Sequence, residues 1–191
     1  MNEKYMKEAL KEAKKAYDED EIPVGAVIVK DGKIIARAHN IKEAKKDTLC
    51  HAELLAIKKA SKKINAWRLT GCTMYVTLEP CPMCAGALIN SRIDKVVFAT
   101  QDERTGACGS VLNLLEDYKF NHTVEIEKNV LQKESETMLK EFFKGLRKRL
   151  NNGKKKSSLE MFVLSSFSCN FSFCNFNNGK IRGRRRKTNS F

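Results

Sequence analysis

His51 and Glu53, with one residue between them, and Cys81 and Cys84, with two between them, are the residues of this chain whose types and spacing could do chemistry. One imidazole and two thiolates supply three ligands to a zinc ion and leave its fourth position open, as catalytic sites do. Water bound at such a position is acidic enough to be hydroxide near neutral pH. Glu53 is not needed as a ligand, and two residues from His51 its carboxylate is placed to move protons between that water and a substrate. These residues therefore predict a hydrolytic site with one zinc ion per chain.

Other chemistries use some of the same residues. Cys81-Pro82-Met83-Cys84 alone could be a redox dithiol, since such motifs also follow a strand and open a helix. A dithiol oxidoreductase has no use for an upstream His-x-Glu, however. A structural zinc site is usually closed by a fourth Cys or His. Cys50 adjoins His51, and as that fourth ligand it would leave Glu53 without a task. Cys50, Cys72 and Cys108 are expected to serve as small apolar residues.

The elements that must position these groups follow from periodicity. Met6, Ala9, Leu10, Ala13 and Tyr17 recur at helical spacing and predict a surface helix over residues 2–17. Two apolar runs around Asp31-Gly32 predict a β-hairpin over 24–38. A polar connection from Asn40 to Cys50 leads to a helix over 51–63. A buried strand over 73–78 stops at Pro80, and Cys81 and Cys84 begin a helix over 82–91. Strands over 95–100 and 124–127 and a long helix over 131–150 complete the pattern. The order α-β-β-α-β-α-β-β-α predicts one mixed five-stranded sheet with helices on both faces, a three-layer α/β/α fold. His51 and Cys81 then open two helices whose N-termini can meet at the metal, where their positive ends favour thiolate over thiol.

Of the 191 residues, 1–150 suit one domain, and the composition changes beyond them. The formal net charge of +13 divides into +5 for residues 1–150 and +8 for 151–191. Asn151-Asn152-Gly153 followed by Lys154-Lys155-Lys156 marks a boundary, and residues 151–191 read as a basic, low-complexity, disordered tail without a selected function. Met161 to Phe176 is too interrupted by Ser and Asn to span a bilayer. Arg184-Arg185-Arg186-Lys187 could add non-specific phosphate affinity. The basic balance favours anionic partners, nucleic acid first. The start of the chain has no apolar signal-peptide core, and seven cysteines without regular spacing fit metal binding in a reducing compartment. A cytoplasmic protein is expected.

His-x-Glu followed by Pro-Cys-x-x-Cys is the signature of the zinc nucleobase deaminases. The surrounding sequence is more specific still. Ile22-Pro23-Val24-Gly25-Ala26, Asn40, Tyr75-Val76-Thr77-Leu78-Glu79-Pro80, Met83-Cys84-Ala85-Gly86-Ala87, Ser91-Arg92-Ile93, Val96-Val97-Phe98, Asp102 before Thr105-Gly106, and Phe142-Phe143 stand in register over residues 1–150. In these the chain resembles the bacterial tRNA-specific adenosine deaminases of the cytidine deaminase superfamily. It departs from them in Asp47-Thr48-Leu49-Cys50, where a small or proline-containing lead into His-Ala-Glu is common, and in the tail.

The resemblance implies a cytidine-deaminase-like fold and a homodimer that converts the wobble adenosine of an arginine tRNA to inosine. Zinc-activated hydroxide would attack C6 of a purine flipped out of the anticodon loop, with Glu53 as proton shuttle. It also implies that Val24 and Asn40 line the pocket, that Asp102 accepts from a ribose 2′-hydroxyl, and that Phe143, Arg147 and Arg149 meet the anticodon stem-loop by stacking and phosphate contact. As ordinary structural residues, Asn40 would instead cap a loop, Asp102 would close a turn, and Phe142 would belong to the core. The zinc motif itself leaves open a deaminase of a free base, nucleoside or nucleotide of guanine or cytosine type. A zinc-containing RNA-binding module without catalysis is the further alternative, and Glu53 argues against it.

Overall fold

Alternate residues of three adjacent strands point to opposite faces of the sheet, and both sets are apolar, so both faces must be covered. The structure, a computed structural model, describes residues 2–151. Its strands are β1 (Gly25–Lys30), β2 (Lys33–His39), β3 (Cys72–Leu78), β4 (Lys95–Thr100) and β5 (Glu125–Glu127), in the order β2-β1-β3-β4-β5. β1 is antiparallel to β2 and β3, whereas β3, β4 and β5 run parallel. The helices are α1 (Asn2–Asp18), α2 (Lys42–Lys45), α3 (Ala52–Ile64), α4 (Pro82–Asn90) and α5 (Gln132–Asn151). Ala26, Ile28, Met74, Val76, Val96 and Phe98 pack on one face with Ala52, Ala56 and Ala60 of α3 and Ala85 and Leu88 of α4. Val27, Val29, Tyr75, Val97 and Ala99 pack on the other with Tyr5, Met6 and Ala9 of α1. Phe142 and Leu146 of α5 join Tyr17 and Ile22. The expected three-layer α/β/α fold with a mixed five-stranded sheet is the fold observed.

The elements agree with the sequence reading to within a residue or two, except at α2, which lies inside the expected polar connection. Four residues are too few to show a helical period. This turn is held from outside, because the buried Glu21 carboxylate accepts from the Ala44 N–H at 2.7 Å. The hairpin turn carries positive φ at Asp31 (49°) and Gly32 (70°), the conformation that a two-residue hairpin loop requires. No helix among the described residues is long and apolar enough to cross a membrane. Of the expected tail, 151–191, Asn151 closes α5 and the remainder lies outside the described residues.

The pairing brings four chain ends to one end of the sheet. Gly25 at the start of β1 lies opposite His39 at the close of β2, and its N–H donates to Thr77 Oγ1 of β3 at 3.1 Å. Leu78 lies beside Thr100, so β3 and β4 finish together. The segments that carry Val24, Asn40, Cys81 and Asp102 all leave the sheet here.

At Gly25, α1 crosses so closely that a Cβ would overlap the Ala9 carbonyl oxygen and the Ala13 amide nitrogen, both backbone atoms of the helix. Gly25→Ala is therefore expected to lower the free energy of unfolding by about 3 kcal/mol or more, through overpacking that no rotamer can relieve. Gly86→Ala meets open space within α4 and is expected to be neutral or to stabilise by about 1 kcal/mol. Urea unfolding of the two variants checks the contrast; equal stabilities would refute it.

Candidate active site

His51 and Cys81 are the N-cap residues of α3 and α4. Both have extended backbone, and neither side chain caps its helix by a hydrogen bond. Pro82 at the first position of α4 gives up no helical hydrogen bond there. Cys84 stands one turn into α4, fully buried.

His51 Nδ1 lies 3.9 Å from Cys81 Sγ and 3.7 Å from Cys84 Sγ, and the three ligand atoms lie within 4.8 Å of one another. Zinc bonds of about 2.3 Å to sulfur and about 2.0 Å to nitrogen, meeting at a tetrahedral angle, would set N and S about 3.6 Å apart. The cluster therefore fits a tetrahedral ion with little adjustment. Cys50 is not part of it: its thiol donates to Asp47 Oδ2 at 3.5 Å. Nor does Cys50 share the burial expected of it, being partly exposed, whereas Cys72 and Cys108 are fully buried.

The three groups hold their protons unequally. Cys81 is held down at about 4, first by the hydrogen bond from the Cys84 thiol and then by His51. Cys84 is pushed up by that same hydrogen bond and by burial. The His51 imidazole is pushed up, first by its hydrogen bond to Cys81. Glu53, in the first turn of α3 and only 4% exposed, is pushed up by burial. Its Oε2 has no hydrogen-bond partner among the described residues. A buried acceptor without a donor is costly unless a ligand or substrate supplies one.

Asn40, 7% exposed, accepts the Ala52 N–H on its Oδ1 at 2.9 Å, and its own N–H donates to the Val24 carbonyl at 3.0 Å. It thereby ties the end of β2 to the first turn of α3. Because the Ala52 amide can only donate, Oδ1 must face it, and Nδ2 is left as the outward donor. Val24 is buried. The Asp102 carboxylate closes its own turn, accepting from Arg104 N–H at 3.0 Å, Thr105 N–H at 3.3 Å and Thr105 Oγ1 at 2.6 Å. Both residues thus do the structural work that was their ordinary alternative, and both keep hydrogen-bonding capacity beyond it.

On α5, Phe142 is buried against Tyr17, and Phe143 packs edge-on to it at 5.5 Å while remaining partly exposed. Arg147 is exposed. Arg149 pairs with Asp20 at 2.8 Å, an exposed contact that adds little stability. Sequence reasoning assigned no role to Glu79, whose buried carboxylate accepts from four groups of the 102–110 segment. A carboxylate directly after an apolar strand was the available signal, since such a group must find donors.

The model of the MafB19-like deaminase family matches residues 1–147. The tRNA-specific adenosine deaminase of Bacillus subtilis (strain 168) is 51% identical over 157 residues, covering 82% of this chain and 98% of that protein. The chain belongs to the tRNA-specific adenosine deaminase family. Within that family's fold, a structure solved in studies of A-to-I editing by tRNA:A34 deaminases at the wobble position of transfer RNA aligns with a TM-score of 0.69 at 37% identity, over 71% of this chain and 98% of that one. A Bacillus subtilis guanine deaminase structure aligns with a TM-score of 0.52 at 31% identity, over 81% of this chain and 96% of that one. The deaminase site is thus carried on a fold that serves more than one base.

Loading Zn²⁺ into the cluster must displace the proton that Cys84 retains, because its thiol stays protonated while Cys81 ionises easily. Affinity for Zn²⁺ is therefore expected to rise with pH, by about tenfold per unit for each proton displaced. Titration calorimetry in buffers of different ionisation enthalpy measures the release. Stoichiometry other than one ion per chain, or a pH-independent affinity, would contradict this assignment.

Proposed function

We propose that this protein hydrolyses the wobble adenosine of a tRNA, an arginine tRNA in the first instance, to inosine and ammonia, with one zinc ion per chain held by His51, Cys81 and Cys84. The observation that carries this reading is Glu53 Oε2, buried and unpartnered two residues from His51 in a chain of this family. When bound, zinc supplies the Lewis acidity that makes water a nucleophile near neutral pH.

The chain's own residues do the rest. Glu53 takes one proton of the attacking water and delivers it to the ring nitrogen, then takes the second from the hydroxyl left on C6 and delivers it to the amino group, which departs as ammonia. Burial, which raises its proton affinity, suits a group that must hold a proton between the two transfers. Asn40 presents Nδ2 as a donor to the nucleoside, since Oδ1 is committed to Ala52. Val24 packs against the flipped base. Asp102 accepts from the ribose 2′-hydroxyl with the capacity its turn leaves over. Phe143 stacks on a loop base, while Arg147 and Arg149 contact phosphates, Arg149 by exchanging its Asp20 partner.

The same reading makes the protein a cytoplasmic homodimer. The five described cysteines are free thiols, in keeping with a reducing compartment. Leu49, Trp67, Val111, Leu112, Tyr118 and Phe120 expose large apolar side chains, apolar area that a second copy would cover in part.

Incubation with unmodified arginine tRNA, and separately with adenosine, guanine and cytidine, is expected to yield inosine in the tRNA and no product from the small substrates. Release of xanthine from guanine with tRNA untouched would overturn the proposal. Glu53→Gln is expected to retain one zinc per chain and tRNA binding while turnover falls by about 10²–10⁴. Loss of zinc in that variant would make Glu53 a ligand and reject its role as shuttle.

A further inference from the structure

Glu79 follows the last residue of β3 and precedes Pro80-Cys81. It is 2% exposed. A carboxylate so buried is tolerated only where donors surround it. Its Oε2 accepts from the Asp102 N–H at 3.0 Å and from the Ser110 hydroxyl, and its Oε1 accepts from the Cys108 N–H at 2.8 Å and the Ser110 N–H at 3.1 Å. Four donors fill the acceptor capacity of one carboxylate. Glu79 also stands outside the ligand cluster. Neither proton transfer nor metal binding is left for it.

The segment around it is shaped to these bonds. At Gly106 a Cβ would meet the Glu79 carboxyl group and the Asp102 carbonyl, so only glycine lets the chain pass. The Gly106 N–H donates to the Asp102 carbonyl at 2.8 Å, and the Ala107 N–H to the Pro80 carbonyl at 2.9 Å. Glu79 itself is fixed at the sheet, its N–H donating to the Thr100 carbonyl at 2.8 Å. Residues 102–110 are therefore wrapped around a carboxylate two positions from a metal-ligand cysteine.

We infer that Glu79 is a positioning residue: it fixes the place of the Asp102 turn at the end of the sheet where His51, Cys81 and Cys84 gather, and through that turn sets the preference for a ribose at the target nucleotide. The direction of the Asp102 carboxylate is decided within its own turn by Arg104 and Thr105, but the place of the turn is decided by the Glu79 Oε2 bond to the Asp102 amide. This inference rests on the proposed contact between Asp102 and the 2′-hydroxyl.

Glu79→Gln is the informative substitution. With its remaining oxygen in the place of Oε1, the amide keeps the bonds from Cys108 and Ser110, and the Ser110 hydroxyl can accept where it formerly donated. Only the Asp102 N–H then faces a donor. The measurement is kcat/KM on two anticodon stem-loops that differ solely by a 2′-deoxy substitution at the target adenosine, with zinc content and thermal melting recorded in parallel.

Glu79→Gln is expected to retain parental zinc and to lower the ribose/deoxyribose ratio about tenfold; Asp102→Asn is expected to do the same; and the double variant is expected to be no worse than either, because both act on one contact. A merely structural role would lower both rates together and leave the ratio unmoved. An unchanged ratio in Glu79→Gln beside a lowered one in Asp102→Asn overturns this inference and leaves the Asp102 contact standing. An unchanged ratio in Asp102→Asn overturns the contact itself, and the inference with it. Should Glu79→Gln fail to fold, Ser110→Ala removes a single donor from Oε2 and is expected to lower the ratio in the same direction by a smaller factor; an unmoved ratio there counts against the inference.

Discussion

Three ligand atoms from two helices must lie within 4.8 Å of one another, and most of the architecture around the site can be understood from that requirement. An imidazole and two thiols on separate elements would not gather unaided. They are brought together because α3 and α4 pack on the same face of one sheet and begin at the same end of it. Small residues make this possible. Ala52, Ala56 and Ala60 let α3 lie close to the strands, and Ala85 does the same for α4. Helix N-termini supply favourable dipole ends, which lower the cost of negative charge on sulfur there.

The polar groups around the cluster serve as ties between segments that hydrophobic packing alone would leave adjustable. Asn40 ties β2 to α3, Glu21 ties the chain before β1 to α2, and Glu79 ties the end of β3 to the segment after β4. Each is buried, and each bonds to backbone amides. Such bonds fix position more sharply than apolar contact, because an unmade one leaves a buried donor or acceptor at a cost of about 1–3 kcal/mol. Glu53 Oε2 is the exception, a buried carboxylate oxygen left without a donor. Glu79 has four donors and Glu53 Oε2 has none among the described residues, the contrast on which the two proposed roles rest. Both are glutamates at helix or strand ends beside a metal ligand, and only their partners distinguish them.

The sequence by itself determined the chemistry and the architecture. His51, Glu53, Cys81 and Cys84 carry it because metal coordination and proton transfer demand particular atoms at short spacing, and local spacing is written in the chain. Strands β1 to β4 and the four longer helices were legible because apolar runs and periods persist over six residues or more. Only the tertiary structure decided the duties of single polar residues. That Asn40 bonds the first amide of α3, that α2 forms at all, and that Glu79 gathers residues 102–110 depend on partners between 12 and 31 positions away. A hydrogen bond between distant residues leaves no period and no spacing. It exists only once the fold has brought a donor to an acceptor and excluded the water that would have served as well.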